Sequence, residues 1–228
     1  MRLLRPRLPA LLLLVGVAAG CGSTPMRTGP LDPGQVASRP SMECLPDPDV
    51  ADSALTQRMR FGWELAAESF LVPPPEPPDE RSALDLTTWS EQVLSPWLEQ
   101  KTHTVEAARR ELDIAAEEDH RQRIIGGAIV GLMYEDVARV LSGIPTPREL
   151  DDEPEIQDVY RDVLRGQARP FLEHARRAYR ACAQNALRPA GMRHWSRFCA
   201  GREDRLPESD LVPQENGATT VQIIADDD

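Results

Sequence analysis

From Ile156 to Leu187 the apolar residues fall at helical spacing without a gap. Ile156, Val159, Tyr160, Val163, Leu164, Phe171, Leu172, Ala175, Tyr179, Cys182, Ala186 and Leu187 recur at intervals of three and four and keep register through Pro170. A proline inside a helix loses the bond to the carbonyl four residues back, here Gly166, at a cost of about 3 kcal/mol. Packing offsets such a loss, so the pattern predicts a bend and not a break. A stripe this long commits the chain to helices.

The rest of the sequence agrees. Asp47-Pro48-Asp49 reads as a helix start, with an oxygen cap, a proline in the first position and an acid in the first turn. Leu55, Met59, Gly62, Trp63, Ala66 and Phe70 follow at helical spacing, and the prolines at 73–75 and 77–78 end that helix in a stiff extended connector. A further stripe runs through Trp89, Val93, Leu94, Trp97, Leu98, Val105, Ala108, Leu112 and Ala115, with a kink expected at Pro96. The apolar pattern lapses at 117–123, either a solvated helical turn or the bend of a hairpin. It resumes at Ile125, Ile129, Leu132, Met133, Val137, Val140 and Leu141 and is stopped by Gly143 and Pro145. A short last helix carries Trp195 and Phe198.

Only Thr219 to Ile224 has β-like character, so the expected fold is all-α: four to five helices packed as antiparallel hairpins. The helical domain is expected at 47–206, between a Pro/Gly-rich tether at 21–46 and a flexible acidic tail at 207–228. Gly126, Gly127 and Gly131 sit in an apolar stretch far shorter than the roughly 20 residues a membrane span needs, and read as a close helix contact. Ala175, Tyr179 and Cys182 have the spacing of a tetratricopeptide second helix. No 34-residue repeat accompanies them, so ordinary helix packing explains them.

The N-terminus carries an address. Arg2, Arg5 and Arg7 precede an apolar run from Leu8 to Ala19, the plan of a signal peptide over residues 1–20. Ala18-Ala19-Gly20-Cys21, followed by Gly22 and Ser23, resembles the signal of bacterial lipoproteins, although Ala18 stands where that class usually has leucine. The resemblance is confined to residues 1–23. It implies acylation of the Cys21 sulfur, cleavage before Cys21, and a lipid-anchored protein of the cell envelope. By analogy with the class, Gly22 in place of aspartate implies the outer membrane. The alternative is an ordinary secretory peptide that leaves Cys21 as a thiol. Several acyl chains anchor far more firmly than one, since each buried CH₂ adds about 0.8 kcal/mol.

Removing residues 1–20 takes away three arginines, leaving 23 bases against 37 acids and a net charge of −14. So acidic a domain is repelled by anionic headgroups and by nucleic acid, which excludes nucleic acid as the expected partner. Cys44, Cys182 and Cys199 remain for an oxidising compartment. The midpoint between Cys182 and Cys199 falls on the turn at 189–191, so these two face each other in an antiparallel hairpin and are the expected disulfide. Cys44 can displace either partner or stay free.

Chemistry is thinly marked. Glu117 and His120 form a Glu-x-x-His unit, the helical half-site of di-iron carboxylate bundles, but no second unit exists. They are weak metal candidates in a polar segment. HExxH, paired cysteines at zinc spacing, GxSxG and a phosphate-binding glycine loop are absent, and no catalytic residue or cofactor is expected. The expected role is a non-enzymatic, lipid-anchored scaffold or adaptor for another envelope protein. The alternative is an envelope enzyme or a bundle binding a metal or small ligand, the last requiring an apolar cavity near Gly126 to Gly131.

Overall fold

The computed structural model describes residues 40–48 and 54–207. The expected signal segment at 1–20, Cys21 and the expected tail from residue 208 lie outside them. Six α-helices follow in order: α1 (Gln57–Leu71), α2 (Ala83–Trp89), α3 (Ser95–Glu118), α4 (His120–Ser142), α5 (Pro154–Asn185) and α6 (Arg193–Glu203). A π-helical turn, Ser90–Leu94, joins α2 to α3 with helical backbone on both sides, so the described residues form five rods. The architecture is all-α with antiparallel packing, as the periodicity predicts.

The kink expected at Pro96 takes the form of that π turn. Pro96 has no N–H, and just upstream the Ser95 backbone N–H and its Oγ both bond to the Ser90 carbonyl, the hydroxyl at 2.8 Å. One residue is thereby absorbed without breaking the rod. Pro170 is likewise carried inside α5, which runs unbroken for 32 residues.

The first helix starts later than Asp47-Pro48-Asp49 suggests. Thr56 is its cap, accepting from the Met59 N–H at 3.3 Å. Thr56 Oγ1 in turn donates to Gln122 Oε1 at 2.7 Å, and its backbone N–H reaches the same oxygen at 3.2 Å. A buried glutamine on α4 therefore selects the start of α1, a tertiary preference that local capping rules do not see. The tether also ends earlier than expected. Pro40 is buried, Met42 and Leu45 pack against the core, and the Asp47 carbonyl lies 3.1 Å from His194 Nε2. Residues 40–46 thus belong to the packed unit.

Residues 117–123 hold the bend of a hairpin. Asp119 leaves helical geometry, and its Oδ1 accepts from the N–H groups of Arg121 (2.8 Å) and Gln122 (3.0 Å), ending α3 and capping α4 in one residue. At Arg81 the chain turns through φ 48°, a left-handed conformation unusual for a residue with a Cβ. Its carbonyl accepts from Arg148 N–H at 2.9 Å and the Glu149 carboxylate accepts from Ala83 N–H at 3.0 Å, so the loop before α5 holds the strained turn.

Helix α4 is the central rod. Fifteen of its 23 residues are buried, and it packs on α1, α3, α5 and α6. Its glycines make close approach possible. A Cβ on Gly127 would lie 3.3 Å from the Ala178 carbonyl and the Cys182 Cβ, and one on Gly131 would lie 2.4 Å from the Tyr179 ring. The glycine stretch is therefore a helix contact, with Gly127 and Gly131 against α5 and Gly126 against Leu112 of α3. Among the described residues, no helix is long and apolar enough to cross a membrane.

Candidate functional site

Cys182 on α5 and Cys199 on α6 are joined by a disulfide, with 6.1 Å between their Cα atoms across the turn at 189–191. Cys44 displaces neither partner, since Cys182 and Cys199 are joined to each other. The α5–α6 bridge closes a loop spanning 17 positions, a size for which chain-entropy arguments give about 3 kcal/mol. The paired substitutions Cys182→Ser and Cys199→Ser are expected to lower stability by that amount. Urea unfolding under oxidising conditions measures it, and an unchanged midpoint would assign the α5–α6 hairpin to packing alone.

Glu117 and His120 are not brought together as ligands. Glu117 is exposed at the end of α3, while His120 opens α4 beyond the break at Asp119. His120 Nε2 lies 3.2 Å from the Asn185 carbonyl near the C-terminus of α5, so this ring nitrogen donates to an end-of-helix acceptor. Among the described residues, no group of three or more His, Cys, Asp or Glu side chains is placed to hold a metal ion.

The interior does hold polar groups that the sequence motifs do not mark. Lys101, the only lysine in the chain, is buried on α3. Its Nζ lies 2.9 Å from Asp136 Oδ2 on α4, donates to the Ser69 carbonyl of α1, and sits 4.9 Å from the centre of the Phe70 ring. One ammonium thus ties three helices together. Its spacing offers a clue in hindsight: Lys101 lies four residues from both Trp97 and Val105, on the core stripe.

A second cluster joins α4, α5 and α6. Arg202 forms a two-pronged pair with Glu135, Nη2 to Oε1 at 2.8 Å and Nε to Oε2 at 3.1 Å, and the Tyr179 hydroxyl donates to Oε2 at 2.7 Å. Burial first, then the Glu135 charge, raises the Tyr179 hydroxyl well above its ordinary range. Tyr134 makes a similar clamp across α3 and α4 by donating to Glu106, with its ring stacked 4.8 Å from His174. Burial, followed by the bond to Glu106, pushes its hydroxyl up as well. These groups bond to one another inside the packing and hold helices in register.

The open features lie along α5. Arg161, Leu164, Arg165, Arg169, Leu172 and Arg176 line one side of a cleft of about 490 Å³ whose other wall includes Ser142, Ile144, Pro145 and Thr146. Each arginine is already engaged: Arg161 with Asp158, Arg165 with Asp162, Arg169 with Glu173, and Arg176 through a 2.6 Å bond to the Pro207 carbonyl. Elsewhere on the same turns Ile156, Val159 and Val163 are exposed at 47%, 62% and 55%. Periodicity places all three in the core, and the structure corrects that. With 32 residues α5 outruns the 23-residue α4 by about 13 Å, so its first turns have no full-length neighbour to cover them.

No protein family, curated protein or solved structure matches this chain.

Proposed function

We propose that this protein is a lipid-anchored, helical adaptor of a bacterial cell envelope, held at the outer membrane through acylated Cys21 and binding another envelope protein with the projecting half of α5. The signal-like residues 1–23 support the address. The observation that carries the adaptor role is the exposed row Ile156, Val159 and Val163, at helical intervals of three and four on a helix end that its own bundle leaves uncovered. Solvent-facing apolar rows with a polar surround are the usual mark of a protein-binding surface. A disulfide and two interior ion-pair clusters make the bundle a rigid mount for that row. The acidic balance of the mature chain fits a domain that stands off an anionic membrane and is held there by lipid alone.

Two substitutions test the two halves of the reading. Cys21→Ser is expected to abolish metabolic labelling by fatty acid and to release the protein from membranes; retention of both would mean that the anchor is elsewhere. In the anchored chain, Val159→Asp with Val163→Asp is expected to leave thermal unfolding unchanged, since both side chains are exposed, while abolishing the dominant in-cell crosslink to a partner. A crosslink of undiminished yield would place the partner on another face.

A further inference from the structure

We propose that the exposed row on α5 is covered, in the free protein, by α5 of a second copy of this chain, lying antiparallel about a two-fold axis between Val163 and Leu164. The proposal concerns the regulation of the docking row and rests on that reading in one respect. A row masked by a second copy is open to the envelope partner only when that copy is displaced.

The face is longer than its three apolar members. Beyond Ile156, Val159 and Val163 it continues through Gly166, Gln167 and Pro170, all of them exposed and none of them charged. A Cβ on Gly166 would meet no other atom within 4 Å, so the backbone there is open to close approach by another helix.

Charge along the chain identifies the occupant. From Asp151 to Asp162 there are six acids and one base, and from Val163 to Arg180 there are five bases and one acid. The helix macrodipole does not account for this order, because its influence fades beyond the end turns, while Asp162, Arg165 and Arg169 lie in the helix interior. A helix that changes sign at its own row is complementary to itself when reversed. About an axis between Val163 and Leu164, Arg165 comes level with Asp162 of the second copy, Arg169 with its Asp158 and Arg176 with its Asp151. The two-fold repeats each pairing. A parallel arrangement would instead set acids against acids.

The apolar residues follow the same axis. Val163 of each copy meets Val163 of the other, while Ile156 and Val159 fall against the Gln167–Pro170 stretch. The charges flank this seam, where ion pairs set the partner and the orientation of paired helices. Their present partners leave them available for it. Asp158 is held by Arg161 and Asp162 by Arg165, exposed pairs within one helix, a kind that contributes little. Each guanidinium has donors enough to serve a second carboxylate.

The test uses residues 21–228 with Cys21→Ser and Cys44→Ser, which keep the whole packed unit and leave neither lipid nor a new disulfide to join two chains. Sedimentation equilibrium is expected to show a monomer–dimer equilibrium. Asp158→Arg with Asp162→Arg, and separately Arg165→Glu with Arg169→Glu, each set like charges together and are expected to weaken it at least about tenfold. In an equal mixture of the two reversed chains every flank is complementary again, and a heterodimer is expected to form. Its recovery also shows that both variants fold. In the chain of native charge, benzoylphenylalanine at Val163 is expected to link isotopically heavy to light copies within residues 156–170. A chain that stays monomeric at every concentration, or a dimer indifferent to both reversals, would overturn the proposal. So would links between copies outside 156–170, or a mixture no tighter than its components when both give the native circular dichroism spectrum. A monomer whose envelope crosslink is still lost with Val159→Asp and Val163→Asp would overturn the pairing and leave the adaptor reading standing. A dimer whose envelope crosslink survives those substitutions would support the pairing and remove the adaptor reading.

Discussion

Asp136→Ala is expected to destabilise the fold by about 3–5 kcal/mol, the usual cost of removing one partner from a buried ion pair. The pair Lys101–Asp136 is 1% and 0% exposed at its side chains, so removing the carboxylate leaves the ammonium buried. Lys101 retains the Ser69 carbonyl and the Phe70 ring, which moderate the loss without replacing the carboxylate. The double substitution Lys101→Met with Asp136→Leu removes both charges and is expected to recover more than half of that loss. The remainder reflects the Ser69 carbonyl, left buried without this donor, for which about 1–3 kcal/mol is typical. Urea denaturation of the wild type, Lys101→Met, Asp136→Leu and the double variant measures the cycle. Additive single and double effects would show that the two charges act independently, contrary to the 2.9 Å contact.

Gly131→Ala is the second large effect. The new Cβ would fall 2.4 Å from Tyr179 Cε1 and 2.6 Å from Cδ1, well inside any real contact. The ring cannot swing aside cheaply. It is fully buried, and its hydroxyl is bonded to Glu135, which also holds Arg202. Either α4 and α5 separate, or the Tyr179–Glu135–Arg202 cluster breaks. Overpacking of this kind costs about 1–3 kcal/mol, and loss of the tyrosine's bond adds about 1 more. Gly131→Ala in a Tyr179→Leu background is expected to cost less than in the wild type, because the flexible leucine leaves room. Thermal unfolding resolves the difference, and an equal cost in both backgrounds would place the clash elsewhere.

Much of the scaffold was written in local pattern. The long stripe through Pro170, the stop at Gly143, the proline connector and the disulfide across 189–191 all follow from spacing, because helix period and turn chemistry are short-range. What escaped was decided by tertiary partners. Thr56 became a cap through Gln122, a residue 66 positions away. Ile156, Val159 and Val163 share the helical stripe of true core residues, and nothing in a periodic pattern says whether a facing helix is long enough to cover it. Glu117 and His120 have the spacing of paired ligands, yet Asp119 breaks the helix between them, and capping oxygens are common in either role.

The interior clusters show a different limit. Glu135, Tyr179 and Arg202 come from three helices, and no linear motif joins them. Lys101 was legible in principle, as a lone lysine in register with Trp97 and Val105, but long cationic side chains on such stripes ordinarily reach out to water. Its burial depends on Asp136, itself enclosed because α4 is surrounded by neighbours. The arginine row on α5 is similar, because the cleft beside it is formed only when the residues after α4, Ile144 to Thr146, pack alongside.

The anchor remains the claim on which the cellular role turns, and the state of one sulfur tests it. A Cys21 sulfur in a thioether to diacylglycerol cannot also bridge Cys44, the other cysteine outside the Cys182–Cys199 pair. The measurement is mass spectrometry of the N-terminal peptide of the protein extracted from membranes, under non-reducing conditions. The account predicts a chain that begins at Cys21 and carries diacylglyceryl and a further acyl group. A peptide with unmodified Cys21, or with Cys21 linked to Cys44, would contradict it.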